Sequence, residues 1–391
     1  MSVNGNPGER PRPSPLLPPE LAGPDDSYSS DSSASSAASI ATIRPLSGEQ
    51  PAPDTHWTKF FDQEFFHDKV LENGHKANYH VYITLPTDTS KGPLFICHHG
   101  AGASGLSFAV FAQEVHRLLP EAGILSLDAR SHGNSTVTDD AGTPVIDFSL
   151  ETLLADATAM IQLTAEKLSW ATLPPSILIG HSLGGAVMTT LATSPHYKIF
   201  GSNLVGYSVI DVVEGSAIEA LTHMRRLLTS RPQTFDSNDA GVKWHVSSRT
   251  LRDPRSAAAS VPSLLKPVST PNLDFPDGNS SDSRVTWRTD LASTAPWWEG
   301  WFTGLSKKFL TGRGAKLLLL AGTDRLDKEL MIGQMQGKFQ LVVLPEAGHF
   351  VQEDVPARTA ELVAEFWRRN DRGAMVLPPK VSELLKMGKK V

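Results

Sequence analysis

From Trp57 onward the chain alternates short, densely apolar runs with longer stretches whose apolar positions recur every three or four residues, a texture of strands separated by helices. Phe60, Phe61, Phe65 and Phe66 are followed by Tyr79, Val81 and Ile83, which alternate with His80, Tyr82 and Thr84. Asn73-Gly74 lies between these runs and predicts an opening antiparallel pair. Continuous apolar runs at Leu94–His98, Gly123–Leu127, Ser176–Ile179, Leu204–Ile210, Lys316–Leu320 and Gln340–Leu344 predict strands buried on both faces. Between them, Leu150, Leu153, Leu154, Ala157, Met160, Ile161 and Leu163 fall at helical spacing. Asp354-Val355-Pro356 opens a further helix whose buried stripe is Leu362, Val363, Phe366 and Trp367. This alternation predicts an α/β fold, a mostly parallel central sheet with helices on both faces.

Three stretches break the rhythm. Residues 1–52 are Pro-rich, then Ser/Ala-rich, with few large apolar side chains to offset the entropy of ordering, and read as a disordered tail. Residues 212–310 are too long for a simple crossover and read as a cap or lid insertion. Within that insertion, residues 262–284 are rich in Pro, Ser, Asn and Asp and predict a flexible loop. The cluster Trp287, Trp297, Trp298, Trp301 and Phe302 suits either a substrate or partner surface or the seam between cap and main body. Residues 373–391 form a short basic tail, leaving 53–372 as the folded domain.

Composition narrows the chemistry. A formal net charge of −6 over 391 residues supplies no basic field, so no nucleic-acid partner is expected. Cys97 is the only cysteine, which excludes an intrachain disulfide framework and a cysteine-rich zinc site. No histidine spacing suggests a metal, and neither metal nor cofactor is expected. No run of 18 apolar residues is present, and Met1–Pro7 lack the apolar core of a signal peptide. The expectation is a cytosolic or nuclear protein without a membrane segment, in which Asn134 and Asn279 stay unglycosylated.

The chemistry concentrates in Ser176-Ile177-Leu178-Ile179-Gly180-His181-Ser182-Leu183-Gly184-Gly185-Ala186, an apolar strand running into Gly-x-Ser-x-Gly and then into small residues. A serine on a sharp strand-to-helix turn forces its neighbours close together, which residues without Cβ tolerate. Ser182 is therefore the candidate nucleophile. The strand Leu94–His98 leads directly into His99-Gly100-Ala101-Gly102-Ala103-Ser104-Gly105, a loop of small residues whose amides can approach a ligand. It lacks the Lys-Ser/Thr of a phosphate-binding loop. Together the two motifs predict the α/β-hydrolase fold, with the Ala101 and Leu183 N–H groups as the oxyanion hole.

In that fold the order is Ser, acid, His, and His349 is the only one of the 13 histidines after His245. His349 is the expected base. His98, His99, His132 and His181 then support loops, with Asp128 and His132 holding the turn after Gly123–Leu127. Two aspartates end strands where the acid belongs, Asp211 and Asp324, and pattern alone does not choose between them.

Beyond these motifs, the chain from about residue 57 to 370 resembles the protein phosphatase methylesterases. The resemblance is carried by His99–Gly102 with Leu106–Phe111, Asp128–Gly133, Gly180–Ala186, Arg231–Phe235, Trp287–Leu291 and Leu317–Leu326. The most specific stretches are Val209-Ile210-Asp211-Val212-Val213-Glu214-Gly215 and Ile332-Gly333-Gln334-Met335-Gln336-Gly337-Lys338-Phe339. It implies Asp211 as the acid, with Asp324 second. It implies as substrate and partner the catalytic subunit of protein phosphatase 2A, whose C-terminal leucine methyl ester is cleaved to carboxylate and methanol. Family members also bind the phosphatase surface and can hold it inactive. A general small-molecule serine esterase and a non-catalytic phosphatase-binding inhibitor are the rival readings.

Overall fold

The structure is a computed structural model that describes residues 56–268, 284–322, 326–371 and 373. The expected N-terminal tail, the C-terminal tail beyond residue 373 and residues 269–283 of the expected loop lie outside the described residues.

β1 (Gln63–Val70) and β2 (Lys76–Thr84) form the opening antiparallel pair, Gln63 opposite Ile83, around Gly74 at φ 85°. β3 (Leu94–His98), α1 (Ala109–Leu118), β4 (Gly123–Leu127), the short β5 (Thr136–Thr138) and α2 (Leu150–Lys167) follow. Then come β6 (Ser176–His181), α3 (Leu183–Thr193) and β7 (Leu204–Ile210). The main sheet runs β1-β2-β4-β3-β6-β7, with β5 beside β2, and is completed by β11 (Ala315–Leu320) and β12 (Gln340–Val343). From β4 outward every pairing is parallel, because each connection crosses over through other elements before returning to the sheet.

Between β7 and β11 the chain makes α4 (Glu214–Ser230), β8 (Thr234–Phe235), α5 (Asn238–Ser247), α6 (Pro254–Leu264), β9 (Leu265–Pro267), β10 (Val285–Trp287), α7 (Trp298–Phe302) and α8 (Leu305–Thr311). β8, β10 and β9 form a small antiparallel sheet, and Phe235, Leu251, Ala257, Val261, Leu265 and Val285 give this region its own apolar cluster. The main sheet closes with β11 (Ala315–Leu320), α9 (Lys328–Met335) and β12 (Gln340–Val343), and the chain continues into α10 (Val351–Asp354) and α11 (Pro356–Asn370). One sheet face packs on α2, α3 and α8 through residues such as Met160, Val187 and Phe309. The other packs on α1 and α11 through Phe111, Val115, Phe366 and Trp367. Each such fully buried side chain contributes about 1.5–3 kcal/mol. No helix among the described residues is long and apolar enough to cross a membrane.

The structure departs from the pattern in three places. Residues 262–267 of the expected loop are helix and strand instead, because α6 runs to Leu264 and Leu265–Pro267 pairs with β10. Pro262 lies in the helix and Pro267 in the strand, so the proline signal marked element ends rather than a loop. In β2 the polar alternates are buried as well as the apolar ones, His80 and Tyr82 included, because both faces of this strand are covered. β5 and α10, of three and four residues, were too short to leave a periodicity.

The tryptophans divide by contact. Trp298, Trp301 and Phe302 are buried in the main core; Trp301 Nε1 donates to the Phe148 carbonyl at 2.6 Å and Trp298 Nε1 to Thr294 Oγ1 at 2.7 Å. Trp287 packs among Phe235, Trp244 and His245 under the Arg231 guanidinium. These four rings are seam and core.

Beneath the sheet, Arg130 donates to Asp156 through Nε at 2.5 Å and Nη2 at 2.9 Å, and the Tyr79 hydroxyl donates to the same carboxylate. Arg130 and Asp156 are both buried. Asp156→Ala would strand the buried guanidinium and the Tyr79 hydroxyl, and is expected to cost about 3–5 kcal/mol. Urea titration of the purified variant, read by tryptophan fluorescence, checks this as a lowered midpoint.

Candidate active site

The turn at the end of β6 explains its own spelling. Ser182 sits at φ 50°, ψ −118° as the residue preceding α3, a conformation costly for a side chain with Cβ. Its amide is tied to the Ile210 carbonyl at 3.0 Å, and its own carbonyl accepts from Gly185 N at 2.8 Å. A Cβ at Gly180 would stand 2.2 Å from the Gly184 carbonyl oxygen, and one at Gly184 would stand 2.1 Å from that of His98. Only hydrogen fits at either position. The hydroxyl of Ser182 is thereby presented at the N-terminus of α3, whose free amides and dipole favour negative charge.

The loop after β3 is held from the loop after β4. Gly102 N donates to His132 Nε2 at 2.9 Å, and Gly105 N to Asp128 Oδ1 at 2.6 Å. His132 in turn donates from Nδ1 to the Arg130 carbonyl at 2.9 Å, which fixes the tautomer that leaves Nε2 as acceptor. His99 does the same, its Nδ1 donating to the Gly100 carbonyl at 2.7 Å and its Nε2 accepting from Ala129 N at 3.0 Å. Burial lowers the pKa of both rings and keeps them neutral. The amides of Ala101 and Leu183 have no protein acceptor among the described residues. Two donors without partners, on adjacent parallel strands' exits, suit a developing oxyanion.

Asp211 follows β7 at φ 49°. Its Oδ1 accepts from Ala321 N at 2.9 Å and its Oδ2 from His349 Nδ1 at 2.8 Å. The carboxylate is buried while the His349 side chain is 44% exposed, so the imidazole bridges the interior and the open site. With Nδ1 committed as donor, Nε2 is left to accept a proton. Asp324 lies outside the described residues.

The His349 loop has two further anchors. His181, buried beside Ser182, donates from Nε2 to the His349 carbonyl at 2.8 Å. Burial, aided by the nearby His349, pushes its pKa down to about 3, so it stays neutral. From the other side, Asp354 accepts from Gly348 N at 2.6 Å and Arg252 N at 2.7 Å, and Arg252 Nη1 donates to the Glu346 carbonyl. Arg252 belongs to the segment between α5 and α6, so this clamp ties the stretch between β7 and β11 to the His349 loop.

Every residue proposed for the site from the sequence, Ser182, His349, Asp211, Ala101 and Leu183, thus lies at the C-terminal edge of the parallel strands or just beyond it, where α/β sheets place their ligands. Asp128 closes the turn after β4, as expected, by accepting from Asn134 N, and beyond that expectation Asp128 and His132 also reach the loop after β3. Arg252 and Asp354 carried no sequence signal, since they are 102 positions apart and the Asp354 carboxylate serves the His349 loop instead of capping α11. Among the described residues no cluster of three metal-ligating side chains is present.

Residues 95–362 match the model of the Alpha/beta hydrolase family. The fold is similar to the crystal structure of E-2-(acetamidomethylene)succinate hydrolase, with a TM-score of 0.57, 18% identity and coverage of 78% of this chain and 100% of that one. It is also similar to a peroxisomal alpha-beta-hydrolase from Saccharomyces cerevisiae, with a TM-score of 0.58, 14% identity and coverage of 83% and 94%. In sequence it is 48% identical to the protein phosphatase methylesterase 1 of Neurospora crassa over 95% of this chain and 91% of that protein. It is 53% identical to the protein of the same name from Aspergillus oryzae over 84% and 74%. At these identities and coverages, the chain belongs to the protein phosphatase methylesterase family of alpha/beta hydrolases.

Proposed function

We propose that this protein is a serine esterase that removes the methyl ester from the C-terminal leucine of the protein phosphatase 2A catalytic subunit. The observation that carries the reading is the 2.8 Å bond from His349 Nδ1 to buried Asp211, in a chain whose Ser182 caps α3 in a strained turn. Ser182 Oγ attacks the ester carbonyl as His349 Nε2 takes its proton. The tetrahedral oxyanion is received by the N–H groups of Ala101 and Leu183. His349 then returns the proton to the departing methoxide, releasing methanol and leaving the acyl-enzyme. Water, deprotonated by the same imidazole, cleaves the acyl-enzyme and frees the carboxylate. Asp211 holds the ring in its productive tautomer and stabilises the imidazolium. No metal or cofactor enters these steps.

Methanol is so small a leaving group that it contributes almost no binding energy. Selectivity must come from the acyl side, the peptide tail and the phosphatase body. The inserted region, clamped to the His349 loop by Arg252, stands where such contacts can act on the base.

Methanol release from the methylated phosphatase catalytic subunit tests the assignment. Ser182→Ala is expected to lower kcat by on the order of 10⁶-fold and Asp211→Asn by on the order of 10⁴-fold. An Asp211→Asn variant as active as wild type would remove Asp211 from the mechanism. Wild-type binding without methanol release would favour the inhibitor reading, and hydrolysis of simple esters without action on the phosphatase would favour the general esterase. Gly184→Ala is expected to lose activity by two orders of magnitude or more, about the loss from removing an oxyanion donor, because the new Cβ must displace the His98 carbonyl. Circular dichroism alongside kcat separates a displaced site from an unfolded protein.

A further inference from the structure

We propose that His80 is a positioning residue for the oxyanion hole, a buried imidazolium that, through Asp128, fixes the loop presenting the Ala101 amide. This rests on the reading of Ala101 and Leu183 as the oxyanion donors.

His80 lies in β2 with no exposed side-chain surface, and both of its ring nitrogens face carboxylates. Nδ1 is 2.7 Å from Asp128 Oδ2 and Nε2 is 2.8 Å from Glu64 Oε2. A neutral imidazole has one N–H, so one of these contacts would set a ring lone pair against a carboxylate oxygen. Two donors satisfy both, and the ring is an imidazolium. Burial alone would lower its pKa from 6.5, but the bonds and charges of Asp128 and Glu64 outweigh burial and raise it. Phe66 from β1 and Tyr82 from β2 each meet the ring at 4.5 Å, and Ser135 accepts from the His80 amide; the cations nearest these neighbours are Arg288, which acts on Tyr82, and Lys167, which acts on His67. The nearby His67 is kept neutral, burial first and then the charges of Lys167 and His80 pushing its pKa down to about 4.

Asp128 is itself buried and distributes the effect. Oδ1 accepts from Gly105 N, and Oδ2 accepts from Asn134 N at 2.9 Å as well as from His80. The Asn134 bond folds residues 130–135 back over the carboxylate, so tightly that a Cβ on Gly133 would stand 2.0 Å from Oδ2. That turn carries His132, the acceptor of Gly102 N. The oxyanion loop is therefore held at Gly105 by Asp128 directly and at Gly102 by a turn that Asp128 closes. Removing one proton from His80 takes the cation away from buried Asp128 and sets a ring lone pair against one of the two carboxylates. The donors then lose their fixed position, and because they act on the transition state, kcat falls while KM holds.

The test uses the full chain with p-nitrophenyl acetate, which reads the oxyanion hole without any phosphatase contact, and ¹⁵N NMR of the histidines in Ser182→Ala, which reads the ring without turnover. Expected are two ring protons on His80 at pH 6 and a fall in wild-type kcat as pH rises, with a midpoint above 6.5 that coincides with the loss of one of those protons. Glu64→Gln, at the more exposed end, should move both midpoints down by about one pH unit. His80→Gln should lower kcat about tenfold with KM nearly constant, and His80→Arg, which restores a cation with several donors, should recover it without the alkaline fall. A singly protonated ring at pH 6, or a kcat profile that Glu64→Gln leaves in place, overturns the proposal even if His80→Gln fails to fold. Persistence of ester hydrolysis in Ser182→Ala would instead overturn the nucleophile assignment, with the NMR result standing by itself.

Discussion

The site depends on one crowded contact, the approach of the Gly184 Cα to the carbonyls of His98 and His99. β3 and β6 are neighbours in the sheet, with His98 in register with Gly180, and each strand ends in a tight turn on the same edge. Because nothing separates Gly184 from the end of β3, the amide of Leu183 and the loop carrying Ala101 are brought to the same side of Ser182. Neither donor could be placed by its own segment. A larger residue at 180 or 184 would push the strand exits apart and carry the Ser182 hydroxyl away from the Ala101 and Leu183 amides.

The Asp211–His349 pair is built by the next two strands over. β7 delivers Asp211, and β11 supplies the Ala321 amide that holds one carboxylate oxygen while His349 takes the other. His349 comes from a loop with little structure of its own and is fixed from both sides, by His181 on the nucleophile strand and by the Arg252–Asp354 clamp reaching in from the insertion. The loop that carries His349 is thus braced from two sides.

What the sequence made legible follows from where its constraints are written. The strand-to-helix turn at Ser182 could be read because strand, glycines and serine are consecutive, and His349 was the candidate base because chain order left one histidine. The choice between Asp211 and Asp324 could not be read from pattern, since both end apolar strands. It took the resemblance to favour Asp211, and the bond to His349 supports the same choice. The seam position of Trp298 and Trp301 was equally open, because a tryptophan that packs and one that binds look alike until its indole N–H finds Phe148 or Thr294. Arg252–Asp354 and Glu64–His80–Asp128 were invisible for a different reason: each joins residues from separate elements, and their meeting is a property of the sheet order. In β2 the alternation even pointed outward for His80, where the structure buries it.

The buried neutral histidines give the fold a thermodynamic signature. His98 and His245, buried, have pKa values lowered to about 4, and His181 to about 3, each from 6.5. Between those values and 6.5 the unfolded chain binds protons that the folded chain refuses, so stability rises with pH across that window and falls on acidification. Each such ring adds up to about 1.4 kcal/mol per pH unit to the slope. Unfolding in that range is a proton-consuming reaction, and its measured heat would change with the ionisation enthalpy of the buffer that supplies the protons.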